Sequence, residues 1–466
     1  MNKKILIGLC LLCSFYCIFA LDHKESGRES VTAILATDSI PASSKVDTKA
    51  YLDDFAFPYR AQKSNPLSFF VHPSQSSVLS NGEEIVLQVG LRANNKDFFE
   101  PRDINYLIYI NNPSFVASDR GKNLFTNALK RMLEAKTKDS CICLYSISDG
   151  LLKYVTSPND IAPILNQIGS ESKPDNVAKV LMDMGKSVEI NSNGMPWRIM
   201  CISDDDMFKS EAVRNVFLYI PRVYNLNYND ISFSYIGYGI VSDWPLINQV
   251  FASEDGNIYY EKTYKALENR IFSDFDKFSH YDIQDIDIRI SYYPWVSGAK
   301  DLEFSIPSME YDGHKIILDA VNLPSLVKIP VDSEFIENYK NSDGSYKTAM
   351  VSVNYVYGKD KTPMYKTDII SVKYTDNPQE VANSKNAVVE QSIVLSETGK
   401  IFSQLEDLYN SGNYVKALDM INSQIQALKK IQENSKDRQI EVEIQNLKKA
   451  FELIHEKLMS ESSLSE

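Results

Sequence analysis

The sequence predicts three fold classes in series: α/β, then all-β, then α. The α/β part should be a doubly wound, mainly parallel sheet. An antiparallel β-sandwich should flank it, and a helical hairpin or bundle should close the chain. Three patterns carry this. Residues 104–272 alternate apolar strand-like runs with helix-spaced stripes, as βαβ units do. Residues 284–376 hold period-two runs separated by Gly, Pro, Asn and Asp. From about Ala387 apolar residues recur every three or four positions.

The 466 residues are 44% hydrophobic and 24% charged, which is ordinary for a globular protein, and carry a net charge of −13. That charge argues against nucleic acid or anionic lipid as partner, since both reward basic surfaces. Residues 1–20 read as a signal peptide: Lys3 and Lys4, an apolar run from Ile5 to Ala20, then polar sequence. The run is short for a membrane span, so none is expected in the mature chain. The chain should be exported, to periplasm or exterior. Cys10, Cys13 and Cys17 lack the usual lipidation context, so a lipid anchor is the disfavoured alternative. Cys141, Cys143 and Cys201 lie in apolar runs and read as buried thiols.

Residues 21–60 are polar and aperiodic and read as a flexible lead-in. Residues 61–100 supply two strands, 69–79 and 83–93, joined through Asn81-Gly82, a hairpin cue. They should pair with the flanking β-domain. Within the α/β part the strands fall at 104–110, 140–147, 197–203 and 231–237. Helices fall at 121–136, 158–168, 176–188, 210–225 with a break at Pro221, and 243–251. Ser118 or Asp119 can cap the first of these. Asp285 and Asp287 read as protective charges on a strand edge. In the helical segment, 387–460, two stripes stand out. One is Val415, Leu418, Ile421, Ile425 and Leu428; the other is Ile440, Ile444, Leu447, Phe451, Ile454 and Leu458. Both read as packing seams, with a turn at 432–437.

The stretch "EEIVLQVGLRANNKDFFEPRDINYLIYINNPS" resembles the lead into a von Willebrand factor type A domain. The resemblance is to that domain as found in bacterial exported chloride-channel-like proteins and in inter-alpha-trypsin-inhibitor heavy chains. "FSYIGYGIVSDWPLINQVFASEDGNIYY" resembles that family's late strand, helix and return. The likeness assigns 101–275 to an A-like domain and 276–378 to a following β-domain. "LYNSGNYVKALDMI" is similar to half a tetratricopeptide unit.

Family members bind a divalent cation at the strand carboxyl ends through Asp-x-Ser-x-Ser, a later threonine and a later aspartate. Aligned so, the first Asp falls on Asn111 and the serines on Pro113 and Phe115. The threonine falls near Pro174 or Asp175, and only Asp204 survives as a carboxylate. Pro and Phe offer no side-chain oxygen, whereas Mg²⁺ wants about six. The resemblance therefore implies a degenerate site with no metal, Asn111 and Asp204 being its remnants. Asn111, Asn112, Ser114, Asp204, Asp205 and Asp206 become candidate partner-binding residues. The acidic run has a plainer alternative, as a solvated loop or helix cap.

No enzyme pattern is legible. Gly237-Tyr238-Gly239 lacks the context of a phosphate loop, and His23, His72, His280, His314 and His455 are scattered. The sequence thus predicts a non-enzymatic envelope protein that binds another, unidentified protein, with no cofactor. The alternative is a cation-dependent adhesion module holding Mg²⁺ or Ca²⁺ at Asn111 and Asp204.

Overall fold

The computed structural model describes residues 28–35, 38–42, 46, 48–53, 55, 65–191, 194–204, 207–223, 231–239, 257–296, 299–326, 337–435 and 437–464. The signal-peptide reading, the helix expected at 243–251, Asp205 and Asp206 lie outside them. The chain forms two compact units, one built on Pro101–His280, the other on Ser26–Glu100 with Tyr281–Glu466.

The second unit starts the described chain. The presumed flexible lead-in holds two short helices, α1 (Arg28–Leu35) and α2 (Thr48–Asp53). Val31, Leu35, Tyr51 and Leu52 are buried, so a few well-spaced anchors order a segment that composition marks as polar. Next come β1 (Leu67–Pro73), β2 (Ser77–Leu79) and β3 (Glu83–Ala93). The expected hairpin is modified. Residues 69–79 are two strands: β1 pairs antiparallel with β3, while β2 belongs to another sheet.

The first unit follows as β4 (Asn105–Ile110), α3 (Ser114–Ala117), α4 (Asp119–Ala135), β5 (Cys141–Ser146) and β6 (Leu151–Tyr154). It continues with α5 (Pro158–Gly169), α6 (Val177–Ile190), β7 (Trp197–Ser203) and α7 (Glu211–Val223). It closes with β8 (Ile231–Tyr238), β9 (Asn257–Glu261) and α8 (Tyr264–Phe278). Ser118 caps α4, its Oγ accepting from Gly121 N at 3.0 Å. The backbone of α7 runs through Pro221 rather than breaking there; the lost donor falls in its final turn.

The sheet order is β6-β5-β4-β7-β8-β9, with every neighbouring pair parallel except β5–β6. Strands buried on both faces read as continuous apolar runs, as β4 does. Tyr106, Ile108 and Ile110 pack with α4, α5 and α8, while Leu107 and Tyr109 pack with α6 and α7. The chain winds one way from β4 to β5 and the other way from β7 to β8. β4 and β7 are therefore the switch point of the sheet, where the following loops part and leave a crevice.

The chain then returns to the second unit. It adds β10 (Ile283–Tyr292), β11 (Leu302–Met309), β12 (His314–Leu323), β13 (Tyr346–Tyr357) and β14 (Thr362–Thr375). One sheet runs β11-β10-β13-β14-β2 and the other β1-β3-β12, and both feed one apolar cluster. β10 is paired on both sides, so Asp285 and Asp287 do not guard an edge. Asp285 has φ 51° at a register shift, a bulge that short polar side chains tolerate. Leu87, Val89 and Leu91 are buried as alternation predicts, but so is Gln88, whose Nε2 donates to Ser392 Oγ at 2.8 Å.

The chain ends in α9 (Pro378–Asn383), α10 (Ala387–Asn410), α11 (Tyr414–Ser435) and α12 (Arg438–Leu464). The 3–4 stripes pack as seams, with α1, α2 and Ile316 of β12 in the same cluster. Val415 is the exception at 63% exposure; Ala417, one-turn partner of Ile421, takes its place. No helix among the described residues is long and apolar enough to cross a membrane.

Candidate functional site at the strand ends

The switch point places Asn111 after β4 and Asp204 after β7, side by side. Ile110 and Ile202, at the ends of these strands, are paired in register, and Asn111 N donates to Ile202 O at 2.9 Å. Asn111 is fully buried. Its Oδ1 accepts from Tyr109 Oη at 2.9 Å and its Nδ2 donates to Ser203 Oγ at 3.2 Å. Asn112 spans the crevice: Nδ2 donates to Asp204 Oδ2 at 2.8 Å, while Oδ1 accepts from Ser114 N at 3.2 Å and Ser114 Oγ at 2.7 Å. Asn112 thus satisfies a backbone group, Ser114 N, whereas the bonds described for the Asn111 side chain go to side chains.

Pro113 opens α3, and Phe115 on α3 turns toward the aromatic half of this face. Its ring stacks on Tyr264 at 5.4 Å and 9° and meets Tyr238 at 4.9 Å. Burial, then the neighbouring Tyr264, raises the Tyr238 phenol above its ordinary pKa against the pull of Arg120. Gly121 lets the loop close: a Cβ there would stand 1.9 Å from Phe115 O. Sequence reasoning missed Tyr238 and Tyr264 as site residues. The signal was available only as aromatic residues at the end of one strand and the start of one helix.

On the other side, Glu171 stands near the expected threonine position. It accepts from Ile147 N at 2.8 Å and Ser148 Oγ at 2.9 Å, and from Ser146 Oγ. Its oxygens hold the loop after β5 rather than facing an ion. Pro174 and Asp175 lie in the same α5–α6 connection, beyond Glu171.

The residues fit a divalent cation poorly. Asn111 and Asn112 oxygens already accept protein donors, as does Asp204 Oδ2. Among the described carboxylate oxygens of this face, Asp204 Oδ1 is buried without a hydrogen-bond partner. Mg²⁺ takes roughly six oxygens, and the other described side-chain oxygens here already take part in hydrogen bonds. Among the described residues no group of three His, Cys, Asp or Glu could hold a metal ion.

Toward the amino ends of the same strands lies a charged network that sequence reasoning did not find. Arg198 on β7 and Asp274 on α8 are 1% and 2% exposed. Arg198 Nη2 donates to Asp274 Oδ1 at 2.8 Å, and Tyr106 and Ser234 hydroxyls donate to Oδ2 at 2.7 and 2.8 Å. Tyr259 Oη donates to Oδ1 at 3.1 Å. Burial alone would raise the Asp274 carboxyl, but the Arg198 charge and the donated hydrogen bonds outweigh it and hold the pKa below the ordinary range. The network ties α8, and so Tyr264 at its start, to four strands.

No family model matches the chain. No curated protein matches it either. Among solved structures it is similar to the ArnB paralog VWA2 of Sulfolobus acidocaldarius, at 15% identity and TM-score 0.40, covering 84% of this chain and 98% of that one. It is similar to a von Willebrand factor type A protein of Catenulispora acidiphila, at 10% identity and TM-score 0.47, covering 82% and 91%. It is also similar to the pilus adhesin SpaC of Lactobacillus rhamnosus GG in its open conformation, at 10% identity and TM-score 0.33, covering 69% of this chain and 49% of that one.

Proposed function

We propose that this chain is a non-enzymatic protein-binding component of a bacterial envelope, exported and built on a von Willebrand A-like domain. The β-sandwich and the helical segment would serve as its scaffold. In this reading the strand-end face engages a protein partner directly, with no ion between them. The observation that carries it is the closed crevice: Asn112 bonded to Asp204 at 2.8 Å, with Pro113 and Phe115 standing where hydroxyl donors would be needed. Phe115, Tyr238 and Tyr264, partly buried, give the face an aromatic anchor, the residue class that dominates binding hot spots. Asn112, Ser114 and Asp204 supply the polar rim.

The test is affinity capture from the native cell with the full chain, its Tyr264→Ala variant and EDTA. The proposal expects a specific partner that is retained in EDTA and weakened about tenfold or more by Tyr264→Ala. A partner lost in EDTA, or indifferent to Tyr264, contradicts it. A second reading, a cation held between Asp204 and partner oxygens, is favoured by the one orphaned oxygen, Asp204 Oδ1.

A further inference from the structure

The helical part of the second unit contains a built seat for a peptide. α1 and α2 occupy it with Val31, Leu35, Tyr51 and Leu52, and with Phe55 just beyond, all buried. Three features of the seat go beyond apolar packing. The first is Glu443 on α12, 0% exposed, whose carboxylate accepts from Arg28 Nε at 2.5 Å and from the Tyr51 hydroxyl. The second is a notch in α10. A Cβ on Gly399 would stand 3.0 Å from the Tyr51 ring, so a residue that weakens a helix interior is kept where the ring lies. The third is Asn446, whose Nδ2 donates to Thr32 Oγ1 at 2.9 Å.

The seat therefore reads chemistry: a guanidinium and a phenol at fixed places, set between apolar anchors. The occupant is poorly self-sustaining. Its helices have 8 and 6 residues, well under the length at which helices stand alone in water. A handful of buried side chains must offset the ordering of these two helices, and these opposing terms are of similar size. An intramolecular tether makes such a segment a high-concentration but displaceable ligand.

We propose that residues 28–55 act as a displaceable intramolecular ligand, and that the Glu443–Gly399–Asn446 seat is a peptide-recognition site for an arginine- and tyrosine-bearing segment, which a second copy of this chain can supply. Occupancy from a second copy would link chains without a new interface having to form.

The probe is a labelled peptide of residues 28–55, titrated into the full chain. The Arg28→Ala/Tyr51→Ala chain should bind it saturably and at least tenfold more tightly than the wild-type chain, whose own segment competes. Adding Glu443→Gln to that chain should weaken peptide binding about tenfold. Equal or absent binding to both chains, or indifference to Glu443→Gln, overturns the proposal. Should the double variant unfold, hydrogen exchange on Arg28→Ala alone decides. Faster exchange confined to 28–53 and the 438–454 stretch supports it, and a uniform change contradicts it.

Discussion

Asp274 shows how one residue's environment sets its contribution. Three hydroxyls and a guanidinium converge on a carboxylate with almost no exposure. Replacing it by Asn would remove the carboxylate charge that the buried Arg198 guanidinium faces. Asp274→Asn should therefore cost about 3–5 kcal/mol in denaturant unfolding. The pH dependence has a definite sign. A carboxylate whose folded pKa is depressed contributes fully above its unfolded value, about 3.9, and loses that contribution as pH falls further, through the folded value. The gap between wild type and Asp274→Asn should hold from neutral pH to about 4 and narrow below it. A gap that widens in acid would contradict the assignment. None of this was legible in the sequence. Arg198, Asp274, Tyr106, Ser234 and Tyr259 sit on five elements, and nothing local to any of them announces a partner.

At the scale of elements, the helical seams separate pattern from packing. Val415 fits the stripe by spacing but is 63% exposed, whereas Ile421 is fully buried. Val415→Ala should change stability by less than about 0.5 kcal/mol, and Ile421→Ala should cost about 2–5 kcal/mol, read from urea midpoints. Equal costs would show that the stripe, not the fold, sets the seam. Strands β4, β5, β7 and β8 were legible because burial on both faces gives unbroken apolar runs. The four-residue edge strand β6 was not, since Leu151 and Tyr154 face solvent and carry no period. The end of β4 was legible as a strand end because Asn111-Asn112-Pro113 stops an apolar run abruptly. The aromatic half of the strand-end face was not, because Phe115 meets Tyr238 and Tyr264 only after the sheet and α8 assemble.

For the whole molecule, Pro101–His280 forms the core of the first unit, while the second draws on the segments before and after it, Ser26–Glu100 and Tyr281–Glu466. Glu443 and Arg28 are 415 positions apart yet hydrogen-bonded. The polar composition of 21–60 hid this, because a few anchors suffice when the seat is supplied by residues far along the chain. The proposed function rests on the strand-end face, where Asn112 Nδ2 donates to Asp204 Oδ2 and where Pro113 and Phe115 bring no side-chain oxygen. Thermal unfolding of the full chain in millimolar Mg²⁺, in Mn²⁺ and in EDTA tests it most directly, since a ligand that binds only the folded state raises the midpoint. The account predicts one midpoint in all three. A saturable rise with either ion that Asp204→Asn abolishes would contradict it.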